Sequence, residues 1–263
     1  MQTNGFHTYA RVVGEGDLFA RLSSGVDFED ITKGRKGNHL VAVSERGVPI
    51  VRTTTQYTKP AHRFSDAHHA VAQSIIDVAL SEQSMASQDA FGFNNALIEV
   101  YDRGYYKMGY HSDQALDLVD GSFVALYSCY EDPKSRVALR KLVIRDKTTE
   151  KETSILLEHD SVVLFSLETN TTHAHKIVLD PVPSPSSPEP DNRWLGITFR
   201  CSDTFVHFDD GTPRLEGGET LQLANEEQRK MFYRLRGQEN RSMGFDYPPL
   251  DFTISMADTL EPR

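Results

Sequence analysis

Hydrophobic residues along this chain group into short runs that are separated by turn-forming residues. Runs of about four to eight apolar and β-branched residues, bounded by Gly, Pro, Asn and Asp, are typical of strands that are covered on one or both faces. The pattern predicts strands at 40–43, 48–54, 96–101, 122–130, 137–145, 154–157, 161–167 and 193–200. We also expect two hairpins, one joining 40–43 to 48–54 and the other joining 137–145 to 154–157.

Helical periodicity is clearest in two segments. Residues 66–81 place apolar side chains on one stripe, as expected of a helix that packs against a sheet. A second helix is predicted to begin after Asn225, with Gln228 as its capping-box partner, and to end at Gly237. Residues 181–190 carry five prolines, which predicts a surface loop without regular structure.

Length and composition favour one elaborated domain. A chain of 263 residues can bury one substantial core. Cys129 and Cys201 are too few for a disulfide framework, and their predicted strand positions indicate reduced, buried thiols. Because no apolar run is long enough to span a bilayer and the opening residues are polar, we expect a cytoplasmic protein with no membrane partner.

The charge balance argues against one class of partner. Acidic residues outnumber basic ones by 38 to 28, which gives a formal net charge of −10. A broad basic face is what exchanges counterions with a phosphate backbone, so nucleic acid is a possible partner but not the favoured one. The sequence leaves the oligomeric state open.

Candidate metal chemistry is concentrated at His111 and Asp113. On an extended backbone these two side chains share one face about 7 Å apart, so that an imidazole and a carboxylate can point at one ion. A second histidine would complete the set of two histidines and one carboxylate that leaves three positions open on non-haem Fe(II). His173 and His175 both follow the apolar strand 161–167 and face the same way if extended, so geometry alone does not choose between them. The alternative is a solvated turn.

Other residues are candidates for bordering a pocket. Arg200 lies on the predicted strand 193–200, where its charge needs an anion, either an internal carboxylate or a bound one. Arg52 and Tyr57 are candidates for a substrate pocket, with a half-exposed strand as the alternative. Tyr110 offers a ring for stacking, although tyrosines that flank a strand more often serve packing.

Several short motifs, taken together and in order, resemble the AlkB-type branch of the Fe(II)/2-oxoglutarate-dependent dioxygenases. The matching pieces are Asn-Ala-Leu-Ile at 95–98, Tyr101 with Gly104, Gly-Tyr-His-Ser-Asp at 109–113, Ser-Val-Val-Leu-Phe at 161–165, Thr-Asn-Thr ahead of His-Lys-Ile at 175–177, and Thr-Phe-Arg at 198–200. Residues 49–57 resemble the segment that precedes the family's substrate lid. Any one motif is weak, whereas the ordered set is specific.

The resemblance implies a mainly β fold with flanking helices around a double-stranded β-helix, a jelly-roll core of the cupin-like kind. One dioxygenase domain would then span residues 1–263. Within it we expect an N-terminal support and lid region at 1–90, the catalytic core at 91–208, and a C-terminal helix and tail at 209–263.

The resemblance also implies the roles of site residues. Iron would be held by His111, Asp113 and His175, since the family's distal histidine is followed by a short strand, and this favours His175 over His173. The contacts to 2-oxoglutarate would come from Arg200, Tyr101, Asn95 and Arg193.

Two positions depart from the family's co-substrate pattern. The family's second arginine normally lies six residues before the first, where this chain has Trp194. Arg193 would therefore reach the cavity only through a bulge, which Gly196 would permit. Glu99 stands where the nucleic-acid repair members often have a co-substrate-binding asparagine.

The implied activity is oxidation of a C–H bond with consumption of O2 and 2-oxoglutarate and release of succinate and CO2. Repair members carry an acidic residue two places after the ligand aspartate, where this chain has Ala115. This departure favours hydroxylation or demethylation of a small-molecule or nucleotide-like substrate, with Arg52, Tyr57 and Tyr110 as its contacts. The alternatives are an AlkB-type demethylase of alkylated DNA or RNA and a metal-free binding module of the same fold.

Overall fold

The protein is mainly β, with short helices and loops around its sheets. The computed structural model describes residues 2–14, 16–81, 88–137, 139–180 and 191–263. The predicted loop at 181–190 lies outside the described residues.

Strands follow one another along the chain with few helices between them. The strands are β1 (Gln2–Thr3), β2 (Phe6–Ala10), β3 (Glu29–Thr32), β4 (Arg35–Val41), β5 (Val48–Pro49), β6 (His62–Arg63), β7 (Asn95–Tyr101), β8 (Phe123–Tyr130), β9 (Arg140–Asp146), β10 (Glu152–Leu157), β11 (Ser161–Ser166), β12 (His173–Leu179), β13 (Trp194–Arg200), β14 (Phe205–Asp209), β15 (Thr212–Leu215), β16 (Gln222–Leu223) and β17 (Phe252–Thr253). The helices are α1 (Leu18–Ser23), α2 (Asp66–Ser81), α3 (Leu167–Thr172) and α4 (Glu226–Arg241), with single 3-10 turns at Gln88–Phe91 and Met256–Thr259.

Two sheets enclose the centre of the molecule. The larger sheet has the strand order β1-β2-β11-β8-β13-β7-β4-β3, with β6 also paired to β4, and the smaller sheet has the order β10-β9-β12. Leu126 and Phe165 of the larger sheet share one buried cluster with Leu142, Ile144 and Ile177 of the smaller sheet. The sheets therefore face each other, and the mainly β, double-stranded β-helix class predicted from the sequence is confirmed.

The other face of the larger sheet is covered by helices. Ile75 of α2 belongs to the same buried cluster as Ile197 and Phe199 of β13. Because alternate residues of a strand point to opposite faces, Thr198 and Arg200 point the other way, into the space between the sheets. The amphipathic pattern of residues 66–81 predicted this supporting helix, and α2 confirms it.

Of the two predicted hairpins, one is confirmed, while the other is limited to a tight turn in which Ser44 and Gly47 bond to each other. β9 and β10 pair antiparallel from Arg145 opposite Glu152 to Arg140 opposite Leu157. β4 does not pair with β5: it pairs with β7 and β3, whereas β5 pairs with β14. The fully buried β7 offers β4 a partner along its whole length, and such a distant partner is invisible in the local pattern.

The C-terminal helix begins as predicted and runs further. Asn225 and Gln228 form the capping box, but α4 continues through Gly237 to Arg241. Gly237 occupies an ordinary helical position, which glycine tolerates at a cost of about 1 kcal/mol relative to alanine. Phe232 belongs to a buried cluster with Phe252, and Leu116 packs against that cluster. α4 therefore lies close to the segment that follows Asp113.

Candidate active site

The two histidines of the candidate metal centre lie on paired backbones. The N–H of His111 donates to the carbonyl of His175 (3.0 Å), and the N–H of His175 donates to the carbonyl of His111 (2.7 Å). Such a mutually bonded antiparallel pair holds the two Cα atoms about 5.5 Å apart with the side chains on the same face. The imidazole centroids are accordingly 4.7 Å apart.

Asp113 brings the third candidate ligand to the same point. One ligand atom from each of His111, Asp113 and His175 lies within 4.8 Å of the other two. The Nε2 atom of His175 is 3.9 Å from Oδ1 of Asp113. His173 takes no part in this cluster, and its Nε2 lies instead 3.9 Å from Oδ2 of Asp146. Of the two histidines that spacing left open, His175 is the one beside His111 and Asp113.

A single amide from α3 fixes the peptide groups of Asp113. Oδ1 of Asn170 accepts from the N–H of Asp113 (2.7 Å), and Nδ2 of Asn170 donates to the carbonyl of Asp113 (2.8 Å). Asn170 is buried, and its helix is capped by Ser166, whose side chain accepts from the N–H of Thr169. The carboxylate of Asp113 therefore projects from a backbone that is held on both sides.

Burial keeps the two histidines neutral. It lowers the pKa of His111, and together with the neighbouring imidazole it lowers the pKa of His175 to about 3. Burial alone would raise the pKa of Asp113, but nearby positive charge, first of all that of the Arg200 guanidinium, outweighs it, and the pKa is lowered. Near neutral pH the cluster therefore offers two neutral imidazoles and one carboxylate, which is the protonation state that a divalent metal requires.

These three side chains border an internal cavity of about 70 Å³. Its apolar walls are Leu97, Met108, Leu126, Leu142, Phe165 and Ile177. Its polar lining consists of Arg35, Glu99, Tyr101, His111, Asp113, His175, Thr198 and Arg200. The charged groups therefore share the cavity with apolar walls and little water, where electrostatic interactions are stronger than in bulk water.

Arg200 borders the cavity with N–H donors that are not used within the described part of the protein. Its NH2 lies 3.6 Å from Oδ1 of Asp113, while its Nε and NH1 have no hydrogen-bond partner among the described residues. In the same part of the chain, Oδ2 of Asp113 and Nδ1 of His175 also lack partners. A buried polar group that is left unpaired costs about 1–3 kcal/mol. This set of free donors and acceptors fits a metal cation and an anion bound side by side.

The second arginine of the cavity, Arg35 on β4, is committed to a neighbour. Its Nε and NH2 lie 2.7 Å and 2.6 Å from Oε1 of Glu99. The hydroxyl of Tyr101 donates to Oε2 of the same carboxylate at 2.7 Å. Tyr101 thus borders the cavity, and its contact with 2-oxoglutarate stays a prediction. Arg35 was missed because the sequence shows it only as part of a basic turn, and its position opposite Tyr101 depends on the pairing of β4 with β7.

The prediction that Arg193 reaches the cavity is wrong. β13 pairs with both neighbouring strands in unbroken register from Trp194 onward, without a bulge. Arg193 forms an exposed ion pair with Glu131 instead, with Nε 2.7 Å from Oε2. Gly196 has a different purpose from the one expected. A Cβ at that position would lie 2.0 Å from the indole of Trp194, so glycine leaves room for the ring.

Asn95 and Tyr57 are not among the residues that line the cavity. Nδ2 of Asn95 donates to the carbonyl of Pro49 at 3.0 Å. Tyr57 is completely buried, with its ring edge against His39 at a centroid distance of 4.8 Å. Oδ1 of Asn95 and the hydroxyl of Tyr57 have no hydrogen-bond partner among the described residues, so the predicted contacts of both side chains stay predictions.

Arg52 is also committed within the protein. Its guanidinium lies 2.6 Å from Oδ1 of Asp117, and both side chains are buried. Its NH1 donates to the carbonyls of Leu250 (2.8 Å) and Phe252 (3.1 Å). The anion that a buried arginine requires is thus internal, and Arg52 ties the C-terminal tail to the core. Arg52 is not among the residues that line the cavity of the candidate ligands, so its substrate contact stays a prediction.

Tyr110 lies on the outer side of the segment that carries His111. Its hydroxyl donates to Oε1 of Glu152 at 2.6 Å. The cationic groups of Arg145 and Lys176 lie 4.1 Å and 4.0 Å from its ring centroid. The ring does not line the cavity, so a substrate contact from Tyr110 stays a prediction.

The sequence profile of the 2OG-Fe(II) oxygenase superfamily matches residues 17–200. The match covers more than half of the chain and includes all of the candidate ligands together with Arg200, so the protein belongs to this superfamily. The predicted family is confirmed. Membership implies Fe(II) and 2-oxoglutarate, for which His111, Asp113 and His175 are the candidate metal ligands.

The chain is also distantly similar to a solved structure. A solved structure described as "The structure of OsALKBH1" aligns with 76% of this chain and 99% of its own, with 14% sequence identity and a TM-score of 0.49. No protein of curated function matches the sequence significantly. Across the described ranges, the helices are all too short or too polar to cross a membrane.

Proposed function

We propose that the protein is an Fe(II)- and 2-oxoglutarate-dependent dioxygenase whose metal is held by His111, Asp113 and His175 and whose co-substrate is anchored by Arg200. The observation that carries this proposal is the cluster of ligand atoms within 4.8 Å of one another beside an arginine with unpartnered donors. The alternative of a solvated turn would leave the ligands in water. Asp113 and His175 are only 7% and 6% exposed.

The residues of the cavity have separate tasks. When bound, Fe(II), 2-oxoglutarate and O2 supply the oxidation of a substrate C–H bond, with release of succinate and CO2. His111 and His175 offer neutral nitrogen donors, and Asp113 offers one negative charge to a divalent ion. Arg200 presents a planar fork of N–H donors that matches a carboxylate. The apolar walls, Phe165 among them, limit the access of water.

For the substrate we favour a small molecule or a nucleotide-like metabolite. The formal charge of −10 supports this choice, because binding to a polynucleotide depends on replacing counterions with basic residues. The expected product is a hydroxylated compound or, where the oxidised methyl group is attached to nitrogen or oxygen, a demethylated compound and formaldehyde.

One feature favours a second candidate, an AlkB-type demethylase of alkylated DNA or RNA. Tyr110 lies beside His111 in sequence and between the cations of Arg145 and Lys176. The two cations are suited to contacting phosphate, whereas a base could stack on the ring only after a cation has moved away from its face. Glu152 opposes this reading, because its carboxylate already binds the Tyr110 hydroxyl.

Succinate release measured over a panel of substrates tests the proposal. The panel contains amino acids, free nucleotides and methylated oligonucleotides, each at about 50 and 200 mM salt. We expect turnover that requires Fe(II) and 2-oxoglutarate and that changes little with salt. Turnover confined to oligonucleotides and falling steeply with salt would establish the second candidate. If adding 2-oxoglutarate to the anaerobic Fe(II) protein leaves the visible spectrum unchanged, the metal-free binding module is the better description.

A further inference from the structure

The backbone around Asp113 is buried but belongs to no regular element. Residues 112–115 follow the isolated bridge at His111 and precede a turn. Ser112, Asp113 and Gln114 are 2%, 7% and 4% exposed. A buried segment outside helices and strands must find other partners for its N–H and C=O groups, because an unpaired buried group is costly. For the peptide groups of Ser112 and Asp113 and the N–H of Ala115, those partners are side chains of two helices, α3 and α4.

Side chains of α4 form hydrogen bonds to the peptide groups on either side of those that Asn170 binds. Oδ1 of Asn240 accepts from the N–H of Ser112 at 3.0 Å, and the guanidinium of Arg236 donates to the carbonyl of Ser112. Oε1 of Glu239 accepts from the N–H of Ala115 at 2.8 Å. Side chains of one turn of α4 thus hold the chain immediately before and after Asp113.

These α4 side chains are themselves fixed in place. NH1 of Arg236 lies 2.5 Å from Oε2 of Glu239, and the hydroxyl of Tyr247 donates to the same oxygen at 2.7 Å. Arg236 and Glu239 are 8% and 9% exposed. Because the pair is buried and bonded from both sides, it offers the 112–115 segment a rigid frame.

We propose that α4 is a positioning element of the metal centre. By fixing the peptide groups on both sides of Asp113, its side chains Arg236, Glu239 and Asn240 set the direction of the Asp113 carboxylate toward His111 and His175. This inference rests on the proposed metal site. It extends that site beyond residues 17–200, the part of the chain that matches the superfamily profile.

Binding of Mn(II), a redox-stable probe, to the metal-free full-length protein tests the role of α4. Asn240→Ala removes the acceptor for the Ser112 N–H, and we expect the Kd for Mn(II) to rise about tenfold, as is common when an outer partner of a metal ligand is lost. Asn240→Asp keeps an acceptor oxygen and should restore most of the affinity. Gln238→Ala is the matched control, because it shortens an exposed amide on the same helix and should leave the Kd unchanged.

Melting of the metal-free variants shows whether an effect is only structural. A Kd that rises while the melting temperature stays within about 2 °C of the control supports positioning. If Asn240→Ala does not fold, Asn240→Ser gives the same comparison with a shortened acceptor. An unchanged Kd in a folded variant would overturn the role of α4 alone. Absence of Mn(II) binding by the unmodified protein would overturn the metal centre and this role with it.

Discussion

Two arginines mark the ends of strand β13, Arg200 as its last residue and Arg193 immediately before its first, but their surroundings are opposite. At one end, the Arg200 side chain is 6% exposed, faces the cavity and leaves Nε and NH1 without partners in the described part of the chain. At the other end, the Arg193 side chain is 48% exposed and bonded to Glu131. An exposed ion pair contributes about 0–1 kcal/mol, whereas a buried guanidinium with free donors is costly unless something binds it. The surroundings, and not the residue type, mark a binding site.

The largest difference is expected between substitutions of two carboxylates, Asp113 beside Arg200 and Glu131 beside Arg193. Asp113→Ala should abolish Fe(II) binding and reduce succinate formation to background, because it removes the charged member of the cluster. Glu131→Ala should leave both unchanged, since it removes only an exposed partner of Arg193. Metal titration and succinate assays on the two variants check this. Appreciable turnover by a folded Asp113→Ala protein would remove Asp113 from the metal site.

The second-largest difference is expected between substitutions of the two arginines, Arg200 and Arg193. Arg200→Ala should raise the concentration of 2-oxoglutarate required for half-maximal activity by roughly 30- to 150-fold, as expected for loss of about 2–3 kcal/mol from charge-assisted hydrogen bonds. Arg193→Ala should change that concentration less than about twofold. Steady-state kinetics with 2-oxoglutarate as the varied substrate gives both values. Equal effects at the two ends would show that Arg200 is not the anchor.

Lowering the pH should destabilise the folded protein through two buried histidines near Arg200, His39 and His175. Burial, with a contribution from the Arg200 charge, lowers the pKa of His39 to about 3, and the pKa of His175 is also lowered to about 3. The unfolded chain protonates these histidines below a pH of about 6.5 while the folded protein does not, so their contribution to stability is lost as pH falls.

The expected loss at pH 5 is about 2 kcal/mol per histidine relative to neutral pH. Urea unfolding of the metal-free protein between about pH 7.5 and 5 measures it. His39→Gln should remove its own share of the pH dependence, while Arg193→Ala should leave the slope unchanged. A slope unaffected by His39→Gln would mean that this histidine is protonated in the folded protein.

Much of the site could be predicted from local sequence because it depends on strand alternation. His111 and Asp113 are two positions apart on extended chain, and this spacing alone places them on one face. The continuous apolar run that forms β11 identifies a strand buried on both faces. Arg200 stands out because a charge on such a buried strand requires an anion.

The rest depended on partners that are distant in the chain. Arg35 enters the cavity because β4 pairs with β7, and Arg193 is excluded because β13 keeps its register past Trp194. Neither pairing can be predicted from the local pattern of hydrophobic and polar residues. The frame around Asp113 is missed for the same reason, since Asn240 contacts Ser112 across 128 positions of sequence.

The smallest expected effect concerns the second cation of the cavity. Unlike Arg200, Arg35 is already paired with a carboxylate, because its NH2 lies 2.6 Å from Oε1 of Glu99. Glu99→Gln removes a carboxylate that repels a dicarboxylate co-substrate and frees the guanidinium of Arg35. We therefore expect the half-saturating 2-oxoglutarate concentration to fall roughly fivefold, equivalent to about 1 kcal/mol. Glu131→Gln, which changes the exposed partner of Arg193, is the matched control and should have no effect. A rise in the 2-oxoglutarate requirement would show instead that Glu99 is needed to orient the Tyr101 hydroxyl toward the co-substrate, and that freeing the Arg35 guanidinium adds nothing to co-substrate binding.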